Sequence, residues 1–392
     1  MSKDNIDVLT KKVVVTGGGS GGHISSAKAV ISELEQRYIL NPNNFLYIGS
    51  DLGMEGEKPG NSLEMRVFAN EKFNKKYIRA GKLQRQFSIR GIYLLLRTLL
   101  GFFDTLAIFK KFKPDIVIST GGFVSVPVCL IAKLFKADIY LHEQTATVGL
   151  TNRIVGKFAK KIFLAYPLSQ EYFPKDKTFH TGNPLRDTVF QKSGRGPLVE
   201  QIRKMLEIQE EYPIIYVSGG SLGSHVINQA IKDSLVPLLH DFQIILQTGD
   251  NTITNDYKLM CMEKEKLEKS FKERFLVTKY VNNEEIGFVL NNTNFFLGRA
   301  GANTVYEMGV LQIPSILIPI PWVTHNEQNA NAQVLKSVGL ATIINEAELT
   351  PEKLQMTVNV FSRKNLDINK EKAKDIFLLN AQKKIIDNIS FN

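Results

Sequence analysis

The pattern that most constrains this chain is an apolar run, a glycine-rich turn and a helical segment in direct succession, and it occurs twice. The first copy is VVVTGGGSGGHISSA at residues 13–27, and the second is PIIYVSGGSLGSHVINQAI at residues 213–231. A buried strand that passes through glycines into a helix is the unit of an open parallel sheet. Two separate copies in a chain of 392 residues predict two such sheets, each with its own core.

Strand-like runs alternate with helical patterns after each copy. FLYIGSD, DIVISTGG, DIYLHE and KIFLAY follow the first copy, and FQIILQTG, RFLVTKY, NFFLG, PSILIP and ATIIN follow the second. We therefore predict an α/β chain with two doubly wound parallel-sheet domains, residues 1–184 and 185–364. The polar, helical segment from about residue 365 is predicted to pack back on the first domain.

The net charge of +10 is concentrated in one region, residues 72–113. This region also contains IYLLLRTLLGFFDTLAIF at 92–109, which has more leucine and phenylalanine than one buried helix face needs. Cations beside excess apolar residues suit an anionic membrane surface better than a nucleic acid. We expect such a membrane contact and no nucleic-acid partner, although a core helix with a solvated cationic flank stays open as an alternative.

The glycine turns are suited to phosphate or sugar ligands. Glycines allow a close approach of the backbone, and the helix behind them offers free N–H groups. The spacing Gly17-x-Gly19-x-x-Gly22 also fits a dinucleotide fingerprint, with Asp51 as the ribose acceptor. Because no Walker lysine and no Asp-x-Asp pair accompany the turns, we expect backbone dipoles, hydroxyls and an arginine to meet the phosphate charge, without a metal.

A serine nucleophile is a weaker interpretation of the same turns. Ser20 and Ser221 each lie in a G-x-S-x-G pattern, which is typical of a hydrolase elbow. Glycine-rich turns match this short pattern easily, and no triad spacing accompanies either serine. We therefore favour ligand binding over nucleophilic catalysis at both turns.

Seven motifs occur in an order that resembles a known family. They are GGGSGGH (17–23), STGGFVSVP (119–127), LHEQTATVGLTNR (141–153), TGNPLR (181–186), VSGGSLGS (217–224), RAGANTVYEM (299–308) and NEQNANA (326–332). Together they resemble the MurG family of GT-B glycosyltransferases. That family moves N-acetylglucosamine (GlcNAc) from UDP-GlcNAc to the 4-hydroxyl of MurNAc in undecaprenyl-pyrophosphoryl-MurNAc-pentapeptide (lipid I), which forms lipid II for peptidoglycan synthesis.

The resemblance implies a fold, an activity and a location. The fold would be GT-B, with two Rossmann-like domains facing across a cleft, the first for the lipid acceptor and the second for the UDP-sugar. The activity would be that of an inverting hexosyltransferase of the EC 2.4.1 class, independent of metal and without a cofactor. The protein would lie peripherally on the cytoplasmic face of the bacterial inner membrane and act in cell wall biogenesis, cell shape, cell division and the cell cycle, with other cell-wall synthesis proteins as partners.

The resemblance also implies the catalytic residues. His23 would remove the proton of the acceptor hydroxyl as it attacks the anomeric carbon, because a neutral imidazole is a suitable base near pH 7. An alternative is that His23 only caps the glycine turn or donates to a phosphate. Glu143 is a rival base, and a structural anchor is the other interpretation of its position after a buried strand.

The donor-binding residues are carried over from the same motifs. Arg186 would face the diphosphate, as suits a forked and permanently charged donor, and Glu307 would accept both ribose hydroxyls. The full expected set is Ser20, Gly21, Gly22, Thr145, Arg186, Ser221, Val281, Ala302, Asn303, Thr304, Val305, Tyr306, Glu307, Gln328 and Asn329.

This chain departs from the family pattern at four positions. Thr145 replaces a common Asn, Ala300 a usual Ser, Ser26 a usual Pro and Ser224 a usual Ala. The changes at Thr145 and Ala300 bear on sugar selectivity. Two alternatives to the transferase stay open: a GT-B relative acting on a soluble UDP-sugar, such as a 2-epimerase, and a catalytically inactive nucleotide-sugar-binding regulatory protein.

Overall fold

The computed structural model describes residues 7–52, 59–81, 89–208, 211–322, 326–363 and 366–391. The chain divides into two compact units, which we call unit 1 and unit 2. Unit 1 comprises Met1–Arg186 and Ile376–Asn392, and unit 2 comprises Asp187–Asp375.

Unit 1 is built on a seven-stranded sheet in which every strand pair is parallel. In chain order, the described strands of unit 1 are β1 (Asp7–Val8), β2 (Val13–Thr16), β3 (Tyr38–Ile39), β4 (Phe45–Ser50), β5 (Lys75–Ile78), β6 (Ile116–Ser119), β7 (Asp138–Glu143), β8 (Lys161–Leu164) and β9 (Thr178–His180). The sheet has the order β5-β4-β2-β6-β7-β8-β9, and β1 pairs separately with β3. The first glycine turn therefore follows a central strand.

Helices cover both faces of this sheet. They are α1 (Gly21–Arg37), α2 (Leu63–Val67), α3 (Ile89–Phe112), α4 (Ser125–Leu134) and α5 (Leu150–Gly156). Alternate residues of β2 pack on opposite sides: Val13 and Val15 join the cluster that contains α1, and Val14 joins the cluster that contains Phe109 of α3. This covering of both faces explains why β2 is a continuous apolar run.

Unit 2 contains a six-stranded parallel sheet in the order β12-β11-β10-β13-β14-β15. Its strands are β10 (Ile214–Ser218), β11 (Gln243–Gln247), β12 (Phe275–Thr278), β13 (Phe295–Gly298), β14 (Ser315–Leu317) and β15 (Ala341–Ile343). Its helices are α6 (Pro197–Ile208), α7 (His225–Asp233), α8 (Leu235–Asp241), α9 (Asp256–Glu265), α10 (Lys269–Glu273), α11 (Ile286–Asn291), α12 (Ala302–Leu311), α13 (Glu327–Ser337), α14 (Pro351–Arg363) and α15 (Lys370–Ile376).

The end of the chain returns to unit 1 through α16 (Ala381–Asp387). Ile385 and Ile386 join the same apolar cluster as α1. Asp387 pairs with Arg37 at the end of α1, with 2.6 Å between the charged atoms. The segment that returns to unit 1 thus begins at Ile376, whereas the sequence pattern placed its start at about residue 365.

The predicted doubly wound parallel sheets are confirmed in both units. The sequence pattern missed β5 and β9, which form the two edges of the sheet of unit 1. β5 reads KKYI and β9 only TFH, so neither shows the apolar run that marks a buried strand. Among the described residues, no helix is both long enough and apolar enough to cross a bilayer.

Candidate active site

The glycine turn of unit 1 is fixed in place from both sides. Gly19 has φ +78°, and a Cβ atom there would lie 2.2 Å from the ring of Phe123. Its N–H donates to the buried carboxylate of Glu64 over 2.6 Å. Ser20 then caps α1, with its hydroxyl oxygen accepting from the N–H of His23 at 3.5 Å. The turn is thus a rigid entry to the helix.

His23 lies in the first turn of α1 with its ring held against the loop after β6. Its Nδ1 is 2.7 Å from the carbonyl oxygen of Thr120. A carbonyl can only accept, so Nδ1 carries the proton and the lone pair of the neutral imidazole is on Nε2. A Cβ atom on Gly121 would lie 2.9 Å from the ring, so glycine at 121 permits this contact. The geometry selects the tautomer that a general base acting through Nε2 requires.

Gln144, which follows β7, contacts the same ring nitrogen. Its buried side-chain amide presents its oxygen to Nδ1 of His23 at 2.7 Å, because a protonated Nδ1 needs an acceptor. The amide nitrogen then donates to the hydroxyl of Ser26 at 3.1 Å and to the carbonyl of Gly22 at 3.3 Å. Gln144 lies inside the HEQT motif, but the motif alone did not indicate a role for it.

Glu143 is buried and holds its own loop together. One carboxylate oxygen accepts from the N–H and the hydroxyl of Thr145, at 2.9 and 2.7 Å, and the other accepts from the amide of Asn152 at 2.9 Å. The hydroxyl of Thr145 also contacts the carbonyl of Thr147. This arrangement favours Glu143 as a structural anchor, and it directs the hydroxyl of Thr145 into the loop.

His142, the neighbour of Glu143, is a neutral core residue. Complete burial lowers its pKa to about 4. Its Nε2 donates to the carbonyl of Gly182 at 3.1 Å and so ties β7 to the TGNPLR segment. That segment ends at the half-buried Arg186, the last residue of unit 1 before the chain enters unit 2.

The glycine turn of unit 2 follows β10 and resembles the first one in plan. Gly223 has φ +75°, and a Cβ atom there would lie 1.9 Å from the carbonyl oxygen of Thr248. Ser224 caps α7, with its hydroxyl accepting from Ile227 N at 3.5 Å. Ser221, at the tip of the turn, is exposed. The turn therefore presents main-chain and hydroxyl groups to solvent at a helix N-terminus.

Arg299 connects this turn to the loop after β13. Its guanidinium donates to the hydroxyl of Ser224 at 2.8 Å and to the carbonyl of Ile318 at 3.0 Å, and it pairs with Glu346. The side chain is buried, which lowers its pKa from the usual value. No role was predicted for Arg299 from the sequence. Its contacts with Ser224, Ile318 and Glu346 indicate that it supports the glycine turn structurally.

Gln247, at the end of β11, connects the same turn to Val281. Its amide nitrogen donates to the carbonyl of Gly220 at 3.3 Å, and its amide oxygen accepts from Val281 N at 3.3 Å and from the hydroxyl of Tyr216 at 2.8 Å. These contacts place the backbone of Val281 beside the glycine turn. Gln247 was not predicted as a site residue, because its only signal in the sequence is a polar residue at the carboxyl end of an apolar strand.

Helix α12 supplies six of the fifteen predicted donor residues. Its first three, Ala302, Asn303 and Thr304, are half-buried, whereas Val305 and Tyr306 are fully buried in the core of unit 2. Glu307 is 8% exposed, and Gln328 of α13 is buried and accepts from Ile320 N at 3.1 Å. Asn329 is half-buried.

In each unit, several of the predicted residues lie in segments that follow parallel strands of the sheet. In unit 2, Ser221, Val281 and Ala302 follow β10, β12 and β13 and so lie at the carboxyl edge of one parallel sheet, the usual ligand-binding edge. In unit 1, Ser20, Gly21, Gly22 and His23 lie at the corresponding edge, with the loop that contains Glu143 and Thr145.

Asp51 does not support the dinucleotide interpretation of the first turn. Both of its carboxylate oxygens lie 2.5 Å from one guanidinium nitrogen of Arg97 in α3, and that guanidinium also donates to the hydroxyl of Tyr93 at 3.2 Å. A carboxylate engaged in this way anchors α3 to the end of β4 and is not directed towards a ribose.

Comparison with known proteins defines the class. Residues 13–164 match the glycosyltransferase family 28 N-terminal domain, and residues 214–389 match the C-terminal domain of that family. A relative in Bacillus thuringiensis (strain Al Hakam) is 32% identical over 91% of this chain and 92% of its own length. It is named UDP-N-acetylglucosamine--N-acetylmuramyl-(pentapeptide) pyrophosphoryl-undecaprenol N-acetylglucosamine transferase 3.

Two solved structures show the same fold. MurG of Acinetobacter baumannii aligns with a TM-score of 0.69 and 22% identity, covering 96% of this chain and 98% of that one. A UDP-N-acetylglucosamine 2-epimerase aligns with a TM-score of 0.60 and 13% identity, covering 97% and 95%. The fold is therefore GT-B, a class that includes transferases and epimerases. Its sequence places this chain more narrowly: it belongs to glycosyltransferase family 28, in the MurG family.

Proposed function

We propose that this protein transfers GlcNAc from UDP-GlcNAc to the 4-hydroxyl of MurNAc in lipid I and forms lipid II for peptidoglycan synthesis. The observation that carries this proposal is the 32% identity with a transferase of that name, which extends over nine-tenths of both chains. The His23 geometry adds a chemical reason, because it provides a base at a glycine turn suited to a pyrophosphate.

His23 acts as the general base in this proposal. The acceptor 4-hydroxyl gives its proton to Nε2 while its oxygen forms a bond to the anomeric carbon of GlcNAc. The bond from that carbon to UDP breaks on the opposite face, and UDP leaves with the electron pair, so the configuration inverts and the new linkage is β. A base of this kind contributes about 10²–10⁴ to the rate.

The donor is held by the residues that the family resemblance assigned. Ser221 and the N-terminus of α7 meet the diphosphate, the backbone of Val281 meets the uracil, and Glu307 meets the ribose hydroxyls. Ala302, Asn303, Thr304, Val305 and Tyr306 line or back the donor pocket, and Gln328 and Asn329 bind the sugar. The full burial of Val305 and Tyr306 supports a backing role for these two side chains.

The rest of the expected set, apart from Thr145, contacts the sugar or the phosphates. Ser20, Gly21 and Gly22 lie against the donor sugar or the acceptor pyrophosphate, and Arg186 meets the donor diphosphate, whereas the hydroxyl of Thr145 is engaged within its own loop. We propose that no metal or cofactor is required, because main-chain N–H groups and the guanidinium neutralise the leaving group.

We further propose that α3 attaches the protein to an anionic membrane surface. Six large apolar residues are 40–67% exposed on this helix: Tyr93, Leu95, Leu96, Leu99, Leu100 and Phe103. At about 100° per residue they span one continuous face of about 160°. Beside the edge of this face that contains Tyr93, α3 is anchored by the Arg97–Asp51 pair and by a 2.6 Å pair between Arg79 and Asp104.

Exposed cations lie at the end of α3 and in the segment that contains β5, a strand in contact with α3. Lys110, Lys111 and Lys113 at the end of α3 are exposed, as are Lys72 and Lys76 before and in β5. Lys82 and Arg85 of the predicted membrane region lie outside the described residues. An apolar face beside lysines suits entry into the acyl boundary under anionic headgroups, which is the basis for proposing a peripheral location on the cytoplasmic face of the inner membrane.

A transfer assay tests the main proposal. Purified protein, radiolabelled UDP-GlcNAc and a short-chain lipid I analogue are combined with and without EDTA. We expect label to move to the lipid at the same rate in both samples. Binding of UDP-GlcNAc without transfer would contradict the proposal, and a rate lost in EDTA and restored by a divalent cation would contradict metal independence.

A further inference from the structure

We infer that Gln144 is a positioning residue that, together with the carbonyl of Thr120, fixes the ring orientation and the tautomer of His23. This inference deepens the proposed function, because it rests on His23 acting as the base. The residues involved all belong to unit 1.

The contact with the ring is short and has two acceptors. Nδ1 of His23 lies 2.7 Å from the oxygen of Thr120 and 2.7 Å from the side-chain oxygen of Gln144. The same amide oxygen also lies 3.3 Å from His23 N and so accepts from the helix N-terminus. Gln144 therefore holds both the main chain and the ring of His23.

The orientation of the amide is itself fixed by its neighbours. The amide nitrogen of Gln144 donates to the hydroxyl of Ser26, 3.1 Å away, and to the carbonyl of Gly22, 3.3 Å away. The hydroxyl of Ser26 then donates to the amide oxygen of Asn183 at 3.3 Å. Since Ser26, Gln144 and Asn183 are all buried, water does not compete for these groups.

This network has a chemical consequence for His23. With Nδ1 committed to two acceptors, the neutral ring offers its lone pair at Nε2 alone. When Nε2 takes the proton of the acceptor, the two oxygens at Nδ1 stabilise the positive charge of the imidazolium. Hydrogen bonds to a charged group are the stronger ones, so loss of the Gln144 oxygen affects the protonated form more than the neutral form.

The charged and titratable groups around His23 do not obscure the effect of Gln144 on the titration of His23. His142 of β7 interacts electrostatically with His23, but burial lowers the pKa of His142 to about 4, so it stays neutral between about pH 6 and 9. Glu143 is bonded to Thr145 and Asn152, and Glu64 of α2 accepts from Gly19 N.

Two substitutions at position 144 distinguish a role of Gln144 in positioning the His23 ring from a purely structural role in the fold. Gln144→Leu removes the acceptor, and we expect kcat to fall by about tenfold to a hundredfold with KM for UDP-GlcNAc unchanged. Gln144→Glu places a carboxylate beside Nδ1, and we expect the acid limb of the pH–rate profile to move up by about one pH unit. Gln170→Leu, which loses a bond to Thr178 away from His23, is the matched control and keeps the wild-type profile.

A spectroscopic readout tests the inference without turnover. In the substrate-free protein, ¹⁵N imidazole spectra recorded against pH report the tautomer and the titration midpoint of His23, assigned among the six histidines by comparison with His23→Gln. We expect the Nδ1–H tautomer in the wild type and a titration midpoint of His23 raised by about one pH unit in Gln144→Glu.

Ser26→Ala removes the hydroxyl that accepts from the amide nitrogen of Gln144. We expect it to lower kcat, as Gln144→Leu does, but by a smaller factor.

The spectra and the transfer assay test different claims, so failure of the positioning role of Gln144 can be distinguished from failure of the proposed function. An Nε2–H tautomer in the wild type, or a midpoint in Gln144→Glu equal to that of the wild type, would overturn the positioning role. If the spectra follow the expectation while no label reaches lipid I, the proposed function fails and the positioning of His23 stands.

Discussion

The carbonyl oxygen of Thr120 lies 2.7 Å from Nδ1 of His23, and this contact, together with that of Gln144, determines which nitrogen of the ring can act as a base. Thr120 follows β6 and His23 follows β2, two neighbouring strands of one parallel sheet. The topology of the sheet therefore brings the carbonyl of Thr120 to the ring of His23, although the two residues are 97 positions apart in the chain. The position of the proton on His23 therefore depends on the pairing of β2 with β6 more than on any local motif.

Glu307 is predicted to hold the ribose of the donor. We expect Glu307→Ala to weaken UDP binding by at least about tenfold, because two hydrogen bonds to a carboxylate are lost. Isothermal titration with UDP and with 2′-deoxy-UDP checks this, and Glu307→Gln serves as the size-matched control. The wild type should discriminate between the two nucleotides, whereas Glu307→Ala should not. Equal UDP affinity in variant and wild type would refute the ribose assignment.

Glu143 is predicted to be an anchor and not the base. Glu143→Gln removes an acceptor from the donors on Thr145 or Asn152, so we expect the free energy of unfolding to fall by about 1–3 kcal/mol. Denaturant unfolding and transfer rates measured on the same sample check this prediction. A loss of turnover by two orders of magnitude or more with unchanged unfolding would instead make Glu143 the base.

The exposed face of α3 is predicted to bind anionic lipid. Phe103→Glu removes the most exposed apolar residue of the face and adds a negative charge, so vesicle affinity should fall by tenfold or more. Sedimentation with phosphatidylglycerol vesicles, compared with neutral phosphatidylcholine vesicles, measures this effect. Leu168→Glu makes the same kind of change at another exposed leucine of unit 1 and should bind as the wild type does. Unchanged binding by Phe103→Glu would remove α3 from the membrane contact.

His142 is predicted to make stability depend on pH. Its pKa is about 4 in the folded protein and about 6.5 when unfolded, so the unfolded chain binds more protons between these values. The stability contribution is present above about pH 6.5 and is lost as pH falls to about 4. Denaturant unfolding at both ends of this range should show a smaller pH dependence for His142→Gln than for the surface variant His240→Gln. Equal dependence in the two variants would contradict the assignment.

Much of the fold was predictable from the sequence because buried parallel strands are continuous apolar runs. The glycine turns after β2 and β10 were also visible, since positive φ and close contacts, as at Gly19 and Gly223, require glycine. The edge strands β5 and β9 were not visible, because half-exposed or three-residue strands carry little apolar signal.

The supporting residues of the site could not be predicted in the same way. Gln144, Gln247 and Arg299 act through partners that are distant in the chain, for example Arg299 on Ser224 and Gln144 on His23. Only the sheet order brings such pairs together. Likewise, nothing local in the sequence shows that Asp51 is engaged by Arg97.

The role of His23 as the base is tested most directly by single-turnover transfer with His23→Ala, at saturating UDP-GlcNAc and with a lipid I analogue. We expect a rate about two to four orders of magnitude below that of the wild type, with UDP affinity nearly unchanged. A rate equal to that of the wild type would contradict this role.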